Sequence, residues 1–304
     1  MLWYERFDKE IGEKLPELTV EKDEPLSRHS SFRIGGPARR MAFPTTAAQV
    51  ATLEDIASLC DTEPLLLGNG TNVLFPDEGL DRLVINTRDL CKMELTGECE
   101  LMAEAGLSLA RLAVFAQQNG LTGLEFAHGI PGSVGGAVCM NAGAYGGEMK
   151  DVLVGASVFF PGEGIRYLPV EELDLSYRHS LLTDHPDAVV IDAVFRLAKG
   201  DPAAIRAKMD ELMGRRKASQ PLEYPSAGST FKRPTGYFAG ALIQDAGLKG
   251  LTVGGAQVSA KHAGFVINTG GATCADVLEL IAQVQRRVRE NSGVELEPEV
   301  RIIR

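Results

Sequence analysis

"GLTGLEFAHGIPGSVGGAVCMNAGAYGG", residues 120–147, packs nine glycines into 28 positions. No lysine follows them as one would in a P-loop, which excludes that way of holding a nucleotide. Gly135, Gly136 and Ala137 carry little or no side chain, so a long flat ligand can lie against bare backbone, and Ser133 and Asn141 add polar groups beside it. A second stretch, "LLLGNGTNVLF" at 65–75, ends a β-like run on Gly68, Asn69, Gly70, Thr71 and Asn72. Gly and Asn tolerate left-handed backbone, so consecutive N–H groups there can converge on an anion. Val73 replaces the third glycine of a dinucleotide fingerprint, and Pro76 and Gly79 interrupt the helix that should follow it. Two such clusters, neither Rossmann nor P-loop, favour a ligand-binding backbone over turn chemistry alone.

The flanking sequence agrees. "TTAAQVATLEDIASLC" opens on Thr46 with Gln49 three residues later, a capping-box arrangement, and "SLARLAVFAQQNG" runs from a Ser108 cap to an Asn119-Gly120 stop. "DPAAIRAKMDELMGRRK" opens on Asp201 and Pro202, and the last helical stretch sets Val277, Leu280, Ile281, Val284 and Val288 on one stripe before Gly293. Short runs rich in branched residues lie between them: "PLLLG", "RLVINT", "VLVGASVFF", "AVVIDAVFRLA", "GFVINTG" and "EVRII". Helices and strands intersperse without a regular beat, which predicts an α+β fold. A break is expected near 199–202, where the glycine-rich part gives way to a basic one.

A chain of 304 residues with 44% hydrophobic content supplies core for two or three domains. No apolar run approaches the roughly 18–20 residues of a membrane span, and the charged start "MLWYERFDKEIGEKL" is unlike a secretory signal, so a cytoplasmic protein without membrane insertion is expected. Five scattered cysteines lack a C-x-x-C pair, which suggests reduced thiols and no metal site. A net charge of −10 argues against nucleic acid as a partner. Residues 199–262 nonetheless hold ten Lys/Arg against five Asp/Glu, the balance expected around an anionic small ligand.

In order, "LGNGTNVL", "GIPGSVGGAVCMNAGAYGGE", "SYRHS", "PSAGSTFKRP", "AQVSAKHAGFVIN" and "LEPEVRII" resemble the UDP-N-acetylenolpyruvoylglucosamine reductases, flavoenzymes of peptidoglycan precursor synthesis. The resemblance spans Arg28 to Arg304 and leaves the first twenty-odd residues unplaced. It implies a two-part FAD-binding region of the vanillyl-alcohol-oxidase (PCMH) type, residues 1–60 and 61–200, and a smaller α+β substrate domain, 201–304, whose C-terminal strand returns to the active site. NADPH would reduce the FAD, and the enolpyruvyl ether of UDP-N-acetylglucosamine would then be reduced to UDP-N-acetylmuramate. Asn69 to Asn72, with Gly68 before them, and the segment holding Gly132, Ser133, Gly136, Asn141 and Gly143 match the family's flavin cradle; Arg178, Ser229 and Glu299 match its catalytic positions. The FAD is expected to be noncovalent, although His128 and Cys139 in the cradle are chemically capable of serving as attachment points. "SLLTDHPDAVVIDAVF" lacks the tyrosine-bearing insertion of some members, so the chain resembles the shorter subclass, and Arg233 stands where some members have Asn.

Residue chemistry fits these roles. Hydride delivery to the terminal carbon of an enolpyruvyl group puts negative charge on the next carbon and its carboxylate, which must be stabilised, and a proton must then reach carbon. Arg178 in "SYRHS" is always charged and binds a carboxylate through two parallel hydrogen bonds. Glu299 either pairs with Arg178 or is held protonated as a donor, and Glu297 competes for that role. Ser229 has no neighbouring His or Asp to strip its proton, which suits a proton donor rather than a nucleophile, with Lys232 beside it to steady the alkoxide. Tyr177, Lys232, Arg233, Lys261 and His262 are the candidate substrate contacts, and Arg216 a cofactor contact, although Arg215, Arg216 and Lys217 also suit a helix C-terminus. Two rivals share much of this pattern: an FAD oxidase of the same fold acting on a sugar or hydroxy acid, and a non-catalytic nucleotide-sugar binder.

Overall fold

The computed structural model describes residues 2–304. The chain forms two compact units that do not follow sequence order: one holds residues up to Lys22, Arg39–Asn69 and Arg82–Arg215, the other Asp23–Ala38, Gly70–Asp81 and Arg216–Arg304. The helix Pro202–Ser219 begins at the break expected near 199–202, opened by the Asp201 carboxylate, which accepts the N–H groups of Ala203 and Ala204, whereas the two units divide within that helix, between Arg215 and Arg216.

In the first unit, an antiparallel five-stranded sheet orders Gly164–Pro169, Leu153–Phe160, Val189–Arg196, Glu100–Glu104 and Met93–Leu95. The inward residues Leu101, Ala103, Val158, Val190 and Phe195 form one core with Leu109, Leu112 and Ala116 of the helix Leu109–Gln118. That helix starts where expected, the Ser108 hydroxyl accepting the Arg111 N–H, and stops before Gly120, whose φ of +67° turns the chain away. A second sheet orders Thr19–Pro25, Pro37–Phe43, Leu80–Asn86 and Leu65–Leu67, the last two parallel. Helices Trp3–Lys14 and Ala47–Leu59 bury Phe7, Ile11, Leu53 and Ile56 against Leu83 and Ile85 of this sheet. The capping box expected at Thr46 is half formed: its hydroxyl accepts the Gln49 N–H, but the Gln49 side chain reaches back to the N–H of Thr45 instead.

The second unit is a four-stranded antiparallel sheet, Ser226–Ser229, Phe265–Asn268, Ala256–Val258 and Thr252–Val253. The helix Cys274–Ser292 lays the expected stripe, Val277 to Val288, into the core shared with this sheet. The Thr273 hydroxyl accepts the Asp276 N–H, the Asp276 carboxylate accepts that of Thr273, and Gly293 ends the helix at φ +73°. The strand Arg301–Ile302 returns to pair in parallel with Val73–Leu74, directly after the run of residues 68–72. The α+β class is borne out. Among the described residues no helix is long and apolar enough to cross a membrane.

Candidate active site

In the first unit Gly68 meets Ser133 of the longer glycine segment. A Cβ on Gly68 would lie 2.5 Å from Ser133 Oγ. Residues 132–135 run beside 105–109: Val134 N–H donates to Leu107 O (2.9 Å), Gly135 N–H to Ala105 O (2.8 Å) and Leu109 N–H to Gly132 O (3.0 Å). Gly135 must be glycine because its Cβ would come within 2.9 Å of Ala105 Cβ. Among the described residues, the N–H groups of Asn69, Gly132 and Ser133 meet no protein acceptor. A bare backbone with uncommitted donors fits the pyrophosphate of a flavin nucleotide, so these residues fit FAD. Gly143 answers an internal need, since a Cβ there would lie 2.7 Å from Gly147 O across a hairpin whose turn puts Tyr145 at φ +55° and Gly146 at +90°. His128 is half-buried, its Nδ1 makes no hydrogen bond among the described residues, and burial followed by the charge of Arg206 lowers its pKa.

Tyr177 and Arg178 form the tip of a tight turn closed by Ser176 and His179, each N–H donating to the other's carbonyl at 3.1 and 3.2 Å. Arg178 sits at φ +57°, a left-handed conformation that costs an ordinary residue roughly 1–2 kcal/mol. Its guanidinium lies 5.1 Å from the Tyr177 ring centre. The turn is tied to the cradle twice: Asn141 Nδ2 donates to Ser176 O (3.1 Å) and Ser180 Oγ to Cys139 O (2.7 Å). The Asn141 side chain is thereby fully engaged, since Nδ2 also donates to Glu148 Oε2 and Oδ1 accepts the Lys150 N–H.

In the second unit the bulge that carries Ser229 decides its aim. Ser226 faces Ile267 and Ser229 faces Phe265, so three steps on one strand oppose two on the other. Gly228 takes up the extra residue at φ +76°, in open space, and leaves Ser229 exposed while Ala227 turns into the core. Glu299 lies alongside: its N–H donates to Thr230 O (2.8 Å), Lys232 N–H donates to Glu297 O (2.9 Å), and Phe231 faces Pro298. Asn72 clamps the same segment, its Nδ2 donating to Glu299 O (3.3 Å) and its own carbonyl accepting the Arg301 N–H (3.0 Å). Thr230, 2% exposed, is the hub, because its hydroxyl also accepts the Val266 N–H. Sequence reading missed Thr230; the signal available was a β-branched residue directly after a candidate catalytic serine.

The remaining candidates are engaged by the fold. Lys232 Nζ pairs with Glu297, whose side chain is exposed, while Glu299 is half-buried. Arg233 stacks 4.0 Å from the Phe238 ring centre. Lys261 Nζ donates to Lys217 O (2.7 Å) near the end of the helix Pro202–Ser219, and Arg216 Nη1 donates to Gln220. His262 Nδ1 accepts the Gly264 N–H, and burial lowers its pKa. Gly70 is glycine because a Cβ would lie 1.9 Å from His29 O, and Thr71 is half-buried beside it.

Residues 38–166 match the FAD binding domain family, and 220–303 match the C-terminal domain of UDP-N-acetylenolpyruvoylglucosamine reductase. The chain is 49% identical to the UDP-N-acetylenolpyruvoylglucosamine reductase of Agathobacter rectalis, over 98% of both chains. It is also 49% identical to that of Clostridium perfringens, over 99% of this chain and 98% of the relative. Its fold matches the crystal structure of the Thermus caldophilus enzyme with a TM-score of 0.80 and 35% identity, over 95% of this chain and 99% of that one. With both glycine segments, the Arg178 turn and the Ser229 bulge all inside the matched length, the chain belongs to the UDP-N-acetylenolpyruvoylglucosamine reductase family.

Proposed function

We propose that the chain reduces UDP-N-acetylglucosamine enolpyruvate to UDP-N-acetylmuramate with NADPH, in the cytoplasm, supplying peptidoglycan synthesis and through it cell shape and division. The chemistry that bound FAD supplies is hydride transfer, in from NADPH and out to the enolpyruvyl carbon. Asn69, Gly132 and Ser133 would hold it noncovalently through backbone N–H groups, with residues 1–60 and 61–200 serving as the two parts of the flavin region and 201–304 for the substrate. Arg178 receives the substrate carboxylate on which charge develops, Glu299 completes the electrostatic pairing, and Ser229 delivers the proton to carbon. The observation that carries this reading is the register in the second unit: the Glu299 N–H donates to the carbonyl of Thr230, the residue directly after Ser229, while the Glu297 side chain pairs with Lys232. That register favours Glu299 over Glu297.

An anaerobic titration tests it. NADPH should bleach the flavin absorbance, and the enolpyruvyl nucleotide should restore it in stoichiometric amount. Bleaching reversed by air but not by the nucleotide would indicate an oxidase, and colourless protein a silent binder. Acid precipitation should leave the yellow colour in solution.

A further inference from the structure

After Lys232 the chain of the second unit turns and exposes two consecutive aromatic residues. Gly236 stands at φ +79° and the Tyr237 N–H donates to Pro234 O (3.1 Å), which leaves Tyr237 49% and Phe238 62% exposed at the entrance of the helix Ala239–Asp245. That helix is well seated: Ala239, Leu242 and Ile243 lie in the core of the unit, so Phe238 is not a core residue out of register. Phe238 is also the N-cap, its carbonyl accepting the Leu242 N–H (3.1 Å), a place where Ser, Asp or Asn would satisfy an orphaned N–H and where the Phe238 side chain makes no such bond. The position therefore forgoes burial and capping together. Arg233 braces the ring from one side, its guanidinium 4.0 Å from the ring centre while its Nε–H donates to Tyr237 O (3.4 Å). One face of the ring meets a cation, and at 62% exposure the other is turned to water.

We infer that Phe238 is a stacking platform for the nucleobase of the nucleotide-sugar ligand. A flat ring backed by a guanidinium offers a π-face to a planar base and a positive charge to the diphosphate attached to that base, a combination that suits a nucleotide and not an apolar protein surface. The chain runs from Ser229 through Lys232 and Arg233 to Phe238, which is the order in which a nucleotide sugar presents its reacting group, its phosphates and its base. This inference rests on the reading of the chain as an enzyme of a UDP-sugar. The test separates stacking from the hydrogen bonds of the base. Dihydrouracil keeps the carbonyls and N–H of uracil but is neither flat nor aromatic, so UDP-N-acetylmuramate and its dihydrouridine counterpart differ in the π-face alone. Both affinities are measured by calorimetry on the full-length, flavin-loaded protein. The parent should favour the uracil ligand about 10-fold, the scale of one base stacked on an aromatic side chain. Phe238→Ala should bring the two affinities to within about 2-fold of each other, and Phe238→Trp, which restores a flat ring, should keep the preference. A loosened fold would weaken both ligands together and leave their ratio unchanged. A parent without preference, or a preference that survives in Phe238→Ala, overturns the platform. If the parent binds neither ligand, the UDP-sugar reading fails and this inference fails with it.

Discussion

A serine without a base is a poor nucleophile but an adequate acid when the acceptor is a carbanion-like enolate, and the surroundings of Ser229 agree with the second use. The bulge at Gly228 exposes the hydroxyl. Ser229→Ala should slow flavin reoxidation by the enolpyruvyl nucleotide by about 10²–10⁴, with a far smaller effect on reduction by NADPH, and Ser229→Cys should recover part of the loss. Rapid mixing of the two half-reactions separately measures this; reoxidation of the Ala variant at the parent rate would reject the proton-donor role. The carboxylates separate in the same assay. Glu299→Gln should cost about 10²–10³ in the substrate half-reaction, whereas Glu297→Gln breaks only a pair with Lys232 whose Glu297 side chain is 69% exposed, worth about 1 kcal/mol or less. A larger effect from Glu297→Gln would reverse the assignment.

Elements with their own punctuation were legible in the sequence. The helices capped by Ser108 and Asp201 begin where those residues stand, and the stripe from Val277 to Val288 is buried as its spacing requires. The motif residues were legible too, because glycines at positive φ and a serine beside one announce themselves. What sequence could not give was partnership over distance: that 23–38 and 70–81 fold with the C-terminal part, or that Asn72 reaches Glu299, 227 positions away. Lys261 and Arg216 read as candidate ligand contacts, and charge alone did not reveal that each also donates to a nearby carbonyl or amide oxygen. The helix Trp3–Lys14 was invisible for a related reason, since its anchor is remote: Arg40, 5% exposed, binds both oxygens of Asp8 at 2.6 and 2.7 Å and holds that carboxyl below its ordinary pKa. Asp8→Ala removes that two-point pair from a largely buried guanidinium and should cost about 2–3 kcal/mol, at or below the low end for breaking a buried pair. Urea unfolding at neutral pH measures it, and a loss under 1 kcal/mol would mean that apolar packing alone seats the helix.

At the scale of the whole molecule, the two units have separate cores and need not respond alike to pH. The first contains Glu54, 8% exposed on the helix Ala47–Leu59, whose pKa is raised to about 7 chiefly by burial and further by the charges of Asp187 and Asp55. In the unfolded chain the same carboxyl titrates near 4.5. The fold therefore favours the protonated form: its contribution is complete below pH 4.5, declines as pH rises, and is gone once pH passes 7. The full swing is of order 3 kcal/mol. Glu54→Gln keeps the shape and removes the titration, so it should stabilise the first unit by roughly 2–3 kcal/mol at pH 8 relative to the parent and by little at pH 4.5. The only tryptophan, Trp3, belongs to that unit and packs edge-on to Tyr4 and Phe7, so its fluorescence during urea unfolding reports the relevant half of the molecule. The comparison is the difference between variant and parent midpoints at the two pH values, because every other titrating group cancels in it. An equal difference at pH 4.5 and pH 8 would show that Glu54 is charged in the fold, with its burial compensated by a partner or by water.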